Sequence, residues 1–310
     1  MPSLTELLLG PPLARVAQSK AEATVATLTA MGLVARDLKL DLTAEIPAHW
    51  SPKEPEFSHV ANAFMAALPQ LEPYFMHNLR AALEQLPPSS PLRAAVDGFN
   101  RQEARHAQQH RAWNQVLAVT YPVIKAFEAE LKERLAESRE NHSLGFRLAY
   151  TAGYEALTYQ IVSFIVDQRR SWLQNADPRM IALVVWHAAE EVEHKAVAYE
   201  VFQAVHGGYA MRVAGLAAAV VNTIRDIGGL ARAMLEVDGL LQKPHTRRRL
   251  KRLRLQILAQ ILPPLWQYLM PSYDPNQHPD PPLIAAWLAH YGEGRDMRSL
   301  SLAELDALAV

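Results

Sequence analysis

Two short patterns, Glu103-Ala-Arg-His106 and Glu191-Val-Glu-His194, each follow a lone glutamate set in apolar sequence, Glu72 and Glu155. On an α-helix, residues three apart lie about 60° apart around the axis and roughly 4.5 Å along it, so one Glu and one His reach the same point. The order Glu, Glu-x-x-His, Glu, Glu-x-x-His is the ligand set of dinuclear carboxylate centres built inside four-helix bundles. No other feature constrains the fold as tightly, because four helices must meet with these six side chains facing inward. A single Glu-x-x-His arises by chance in charged helices, and Glu130 and Glu200 show how many glutamates are at hand. The competing reading is a set of core salt bridges and solvated helix faces.

Glu155 sharpens the case. It lies in LAYTAGYEALTYQIVSFIV, a run with no other charge from Leu148 to Val166. An unpaired buried carboxylate would cost several kcal/mol or take up a proton, so it needs a cationic partner, which a metal ion supplies. Cysteine is absent, so disulfides and thiolate ligands are excluded and any ion must be held by carboxylates and the chain's 12 histidines. With 20% charged residues, 50% hydrophobic residues and a formal net charge of −1, the chain reads as an ordinary folded protein and not as a nucleic-acid binder.

The expected architecture is all-α: a ferritin-like four-helix bundle with a long crossover, plus accessory helices at both ends. Residues 1–56 read as an N-terminal helix and connector, with a capping box at Ser3 to Glu6, helical spacing from about Leu13 to Asp37, and an extended LKLDLTAEIPAHWSPKEPE. Residues 57–206 read as the di-metal bundle and 207–310 as a helical extension covering it. Pro69 and Pro73 flank Glu72, which implies either a kinked helix from Phe57 or a helix starting near Leu71. The LPPSSPL turn centres 17 residues after Glu72 and 14 before Glu103, which returns the two to nearly the same level of a hairpin. A third helix, from about Leu144 to Leu173, would leave Glu155 about 18 residues from its end while Glu191 stands 13 after Pro178, a mismatch of roughly 7 Å. Further helices are expected near 209–235 and 239–262, with a capping box at Ser301 to Glu304.

The N-terminus shows neither a basic leader nor a small-residue cleavage site, so a cytoplasmic enzyme is expected. The longest uncharged stretch, Leu255 to Tyr273, holds three prolines and three glutamines and does not read as a membrane span. RRRLKRLR, residues 247–254, precedes LQILAQILPPLWQYLM; it reads as a solvated basic helix face, or as a membrane-surface contact through 247–270 that leaves the protein peripheral to the inner membrane.

The chain resembles the bacterial proteins known as predicted metal-dependent hydrolases, which look like members of the ferritin-like superfamily. The resemblance spans roughly His49 to His206 and extends more weakly to Pro282. It rests on LPQLE ending at Glu72, RQEARHAQQHRAWN, LAYTAGYEALT and WHAAEEVEHKAVAYEVF. It implies Glu72, Glu103, His106, Glu155, Glu191 and His194 as metal ligands. Where the family shows a Pro-Gly-Phe-His-Pro string this chain has PSYDP at 271–275, with His278 close by.

Other residues near the motifs carry competing readings. His187, one turn before Glu191, and His110, one turn after His106, read as a seventh ligand, a proton carrier or helix-surface residues. Tyr154, Thr158 and Tyr159 surround Glu155 and would orient ligands, shuttle protons or simply pack the core. Glu190 and Glu193 compete with Glu191, since Glu190 pairs with His194 at i+4. Four carboxylates neutralise two divalent ions, which favours two iron ions, with manganese or a mixed pair as variants, over hydrolytic zinc.

The expected activity is oxidation or oxygenation of a small, largely apolar substrate with dioxygen. Metal-dependent hydrolysis and non-catalytic iron handling are the alternatives. The roughly one hundred residues of the 207–310 extension argue against iron handling, because they would roof a substrate cavity. No nicotinamide or flavin fingerprint is present, so an electron-donating reductase is the expected partner, together with a second copy of the chain as a homodimer.

Overall fold

The computed structural model describes residues 33–308, and among these residues the fold is built from helices without a β-strand. Residues 33–54 form an irregular connector. The long helices are α1 (Pro55–Ala82), α2 (Leu92–Thr120), α3 (Val123–Asn141) and α4 (Leu144–Asp167). A single turn, α5 (Arg169–Trp172), leads to α6 (Pro178–His194) and α7 (Val197–Val205). The chain closes with α8 (Tyr209–Val237), α9 (Pro244–Tyr268), α10 (Pro282–Gly292) and α11 (Leu302–Leu308).

Helix starts follow local chemistry. Pro55, Pro178, Pro244 and Pro282 stand at first helical positions, where the missing N–H costs nothing. Ser143 caps α4 by accepting from Phe146 N, and Asp177 caps α6 by accepting from Arg179 N. Ser301 and Glu304 form the expected capping box, with reciprocal bonds of 2.7 and 3.2 Å.

α1 runs unbroken through Pro69 and Pro73, so the alternative start at Leu71 does not hold. The two prolines are four residues apart and therefore weaken the hydrogen-bond ladder along one side only. α4 is apolar on all sides and is buried centrally, as such a helix must be. It ends at Asp167, earlier than the expected Leu173, so Glu155 stands 12 residues from its end while Glu191 stands 13 from the start of α6. The predicted mismatch in level disappears for that reason.

The expected fourth helix is divided: α6 ends at His194 and the chain turns at Lys195–Ala196 before α7. Lys195 Nζ there donates to His278 O at 3.2 Å and pairs with Asp280. The expected N-terminal helix and its capping box lie largely outside the described residues, and residues 33–37 of that stretch are not helical.

α8 packs along α4 and α1. Gly153 and Gly215 let α4 and α8 touch backbone to backbone: a Cβ on Gly215 would lie 2.3 Å from the Ala149 carbonyl carbon, and one on Gly153 2.7 Å from Leu216 Cα. By length and composition α8 is apolar enough to cross a membrane, which the sequence reading did not anticipate. The basic side chains at 247–249, 251, 252 and 254 on α9 are exposed, as are Leu255, Leu262 and Trp266.

The connector is tied into the core. Trp50 Nε1 and Trp113 Nε1 both donate to Asn62 Oδ1, at 2.8 and 3.1 Å, and Asn62 Nδ2 donates to Ala48 O. Ser51 Oγ donates to Trp172 O at 2.6 Å and Asp177 N to Trp50 O at 2.9 Å. These bonds fix residues 48–51 against α1, α2 and the start of α6.

Candidate metal centre

All six side chains singled out by the motif are buried and converge. Glu72 comes from α1, Glu103 and His106 from α2, Glu155 from α4, and Glu191 and His194 from α6. His187 of α6 joins them, and the seven ligand-type side chains fall into two groups. Glu72, His106 and His187 offer atoms within 4.8 Å of one another, and so do Glu103, Glu191 and His194. Glu155 Oε2 lies 3.8 Å from His194 Nδ1, on the second group.

Two carboxylates stand between the groups. Glu191 Oε1 is 2.9 Å from His187 Nε2 and 3.7 Å from His106 Nδ1, while its Oε2 is 3.8 Å from His194 Nδ1. Glu103 Oε1 is 2.8 Å from His194 Nδ1 and 3.8 Å from His106 Nδ1. Glu103 and Glu191 thus stand between the two groups, with Glu72 in the first and Glu155 beside the second.

The donor set fits divalent metal. Both oxygens of Glu72, both of Glu103, one each of Glu155 and Glu191, and the facing nitrogens of His106, His187 and His194 are buried without a hydrogen bond. Several pairs are close enough to bond but wrongly angled to do so, because the groups aim at shared points between them instead of at each other. Four buried carboxylates without matching cationic side chains call for positive charge, and oxygen and imidazole ligands suit two first-row divalent ions.

Charge in the cluster follows the same logic. Burial, followed by the negative charge of Glu103, pushes the Glu72 carboxyl well up, and burial with Glu191 and Glu103 does the same to Glu155. Burial would also raise Glu103, but His194 and His106 outweigh it and hold that carboxyl low. Burial would lower His106 and His194, yet the facing carboxylates hold both imidazoles above their ordinary value. Burial and neighbouring imidazoles push His187 and His110 down.

Outer side chains stand behind the imidazoles. His194 Nε2 donates to Gln102 Oε1 at 2.7 Å, which leaves Nδ1 facing the cluster. Gln102 Nε2 donates in turn to Glu193 Oε2 at 2.6 Å and Val34 O at 3.1 Å. His106 turns Nε2 toward Glu190 Oε2, 2.9 Å away. Arg36 binds both outer carboxylates: its backbone N donates to Glu190 Oε1 at 2.8 Å and its guanidinium takes Glu193 bidentately at 2.7 and 2.9 Å. Such outer partners set ring tautomer and orientation at metal sites.

The ambiguous register of the second motif is therefore resolved by position. Glu191 faces the cluster, while Glu190 and Glu193 stand behind the histidines. His187 presents Nε2 to Glu191 and meets His110 Nε2 through Nδ1 at 2.6 Å. His110 lies behind His187 and belongs to neither ligand group. Tyr154 is buried against Phe75, its ring centroid 5.2 Å away. Thr158 is buried a turn beyond Glu155 and makes no hydrogen bond to the seven side chains. Tyr159 points elsewhere, donating to Pro279 O at 3.1 Å, and His278 sits near Tyr159 and Tyr273, apart from the centre.

Gln102, Arg36 and the supporting role of Glu190 were not anticipated. Gln102 adjoins Glu103 in the motif, and that adjacency was a usable signal. Arg36 gave none, since its contact with Glu190 spans 154 residues.

A cavity of about 190 Å³ adjoins the centre, walled by Phe57, Phe64, Met65 and Ile161 and by His110 and His187. Exposed Arg232 and Arg254 also line it, so it runs from the surface to the buried imidazoles.

The helical fold carries a buried carboxylate–imidazole cluster able to hold metal ions. The family model described as "Predicted metal-dependent hydrolase" matches residues 34–279, and the chain belongs to that family. No curated protein and no solved structure matches it.

Proposed function

We propose that this member of the metal-dependent hydrolase family is a dinuclear metal enzyme of ferritin-like build that oxidises a small, largely apolar molecule with dioxygen. The observation that carries the reading is the placement of Glu103 and Glu191 between two imidazole-bearing groups, with Glu72 in the first and Glu155 beside the second. Glu72, His106 and His187 would hold one ion and Glu155 and His194 the other. Two iron ions bound there would supply redox chemistry, and manganese or a mixed pair suits the same donors.

The cavity supports an apolar substrate. An engineered apolar cavity of about 150 Å³ takes up benzene, so about 190 Å³ accommodates one ring or a short branched chain. His110 Nδ1 and Thr223 Oγ1, both on its wall and buried without a partner, are polar atoms available to orient a substrate. His187 Nδ1 and His110 Nε2 share a hydrogen bond of 2.6 Å, and with an ion at the centre His187 would be the donor, leaving its Nε2 lone pair for the metal. Apolar walls exclude water from this end of the cavity. A separate reductase would deliver electrons, since no nucleotide-binding pattern is present in the chain.

Hydrolysis is the second reading. The family description favours it directly, and the same centre would then polarise a scissile bond and activate water.

Metal analysis separates the two, combined with oxygen uptake after anaerobic loading with ferrous iron and assays on ester and amide panels. Two iron ions per chain with oxygen consumption are expected. Two zinc ions, ester or amide cleavage and no oxygen consumption would transfer the assignment to hydrolysis. Less than one ion per chain would remove both readings.

A further inference from the structure

A second group of metal-type side chains lies outside this centre and shares no residue with it. His49 of the connector, His59 of α1 and Asp238 at the end of α8 meet in a small triangle. His49 Nε2 is 3.0 Å from His59 Nε2, and the two nitrogens are 2.7 and 2.6 Å from the same oxygen, Asp238 Oδ2. Tyr121, at the end of α2, donates its hydroxyl to the other oxygen, Oδ1, at 2.9 Å and so fixes the carboxylate plane.

Hydrogen bonding alone satisfies this arrangement poorly. If both imidazoles donate to Oδ2, their protons crowd one another across 3.0 Å. If one donates to the other, the pair cannot both serve the carboxylate.

We propose that His49 Nε2, His59 Nε2 and Asp238 Oδ2 bind a zinc-like divalent cation. Zinc held at about 2.0–2.2 Å by such atoms spaces them roughly 3.3 Å apart in a tetrahedron, so each edge of the triangle opens by only about 0.3–0.7 Å. Tyr121 then serves as the outer partner of the ligating carboxylate. His49, about one-third exposed, faces the solvent side and leaves the fourth position to water. Glu56, three residues before His59 on α1 and 1% exposed, has a carboxylate oxygen without a hydrogen bond, 3.9 Å from Arg249 Nη1. The ion ties the connector, α1 and the ends of α2 and α8 together at one point. The connector also carries Arg36, so this clasp supports the segment that steadies the imidazoles of the first centre.

The test is zinc stoichiometry of the full chain after dialysis against buffered zinc, for wild type, His49→Ala, Asp238→Asn and Glu155→Ala. His49→Ala and Asp238→Asn are each expected to lose one zinc per chain relative to wild type, with an unchanged far-ultraviolet circular dichroism spectrum. Glu155→Ala is expected to keep this zinc whatever it loses elsewhere, which separates the clasp from the first centre. Cobalt added at one equivalent should give a tetrahedral visible spectrum in Glu155→Ala that His49→Ala lacks, and Tyr121→Phe should weaken zinc at this position about 10- to 100-fold. Zinc content identical to wild type in both folded His49→Ala and Asp238→Asn would overturn the proposal, as would a cobalt spectrum that His49→Ala leaves unaltered.

Discussion

Glu155 enters the centre from a helix with no other charge near it, and its carboxylate has no lysine or arginine beside it, only the His194 imidazole at 3.8 Å. Glu155→Ala is therefore expected to lose one of the two ions of the first centre while helicity stays unchanged. Metal analysis beside circular dichroism checks this, and unaltered stoichiometry there would remove Glu155 from the ligand set. Glu200, buried on α7, shows what an unmetallated carboxyl does in this core. Its burial, with some help from Asp274, pushes it up to about 7. Folding thus favours its protonated form, so the stability it provides is full below about 4.5 and is lost as pH rises to about 7. Glu200→Gln is expected to match wild type in acid and to exceed it above pH 7 by up to about 3 kcal/mol in denaturant unfolding. The six motif residues were legible because a three-residue helical step is written in adjacent sequence. His187 was visible by spacing yet indistinguishable from a surface histidine, since burial depends on which helix lies opposite. Arg36 had no local signature, because its partners are supplied by a distant helix.

At the scale of helices, the α4 and α8 crossing sets how Glu155 approaches its companions. Alanine in place of Gly215 ordinarily favours a helix by about 1 kcal/mol. Here the added Cβ meets the backbone of Ala149, which cannot swing away as a side chain end would. Gly215→Ala is expected to lower stability by about 1–3 kcal/mol, read as a lower midpoint in thermal or urea unfolding; a raised midpoint would show that the helices separate freely. Helix existence was largely readable from apolar spacing and proline positions, and the start of α1 and both ends of α8 fall close to the expected bounds. α9 was expected to stop near 262, and it continues through Pro263 and Pro264 to Tyr268. The carbonyls those prolines deprive of donors belong to Ala259 and Gln260, both exposed, so water satisfies them and the helix survives. Breaks at Gln168 and Lys195 carry no proline or glycine and left no mark to read.

For the molecule as a whole, removing metal should convert stored charge into pH sensitivity. Glu72 and Glu155 are pushed up by burial and neighbouring carboxylates, so the stability they contribute is present in acid and drains away as pH rises. His106 and His194 are held up by their carboxylates, and their contribution is complete below about 6.5 and is lost as pH climbs through their raised values. Both effects act in one direction above pH 6.5. Chelator-stripped protein should show a falling melting temperature from pH 6.5 to 9, while loaded protein stays level because the ions replace the protons. A stripped protein that melts higher at pH 9 than at 6.5 would contradict this charge assignment. The tie through Arg36 has a further consequence. One arginine steadies Glu190 behind the first imidazole and, through Glu193 and Gln102, the second. The two rings hang from a single peg, so a disturbance far upstream in the chain would slacken both halves of the pair together instead of sparing one.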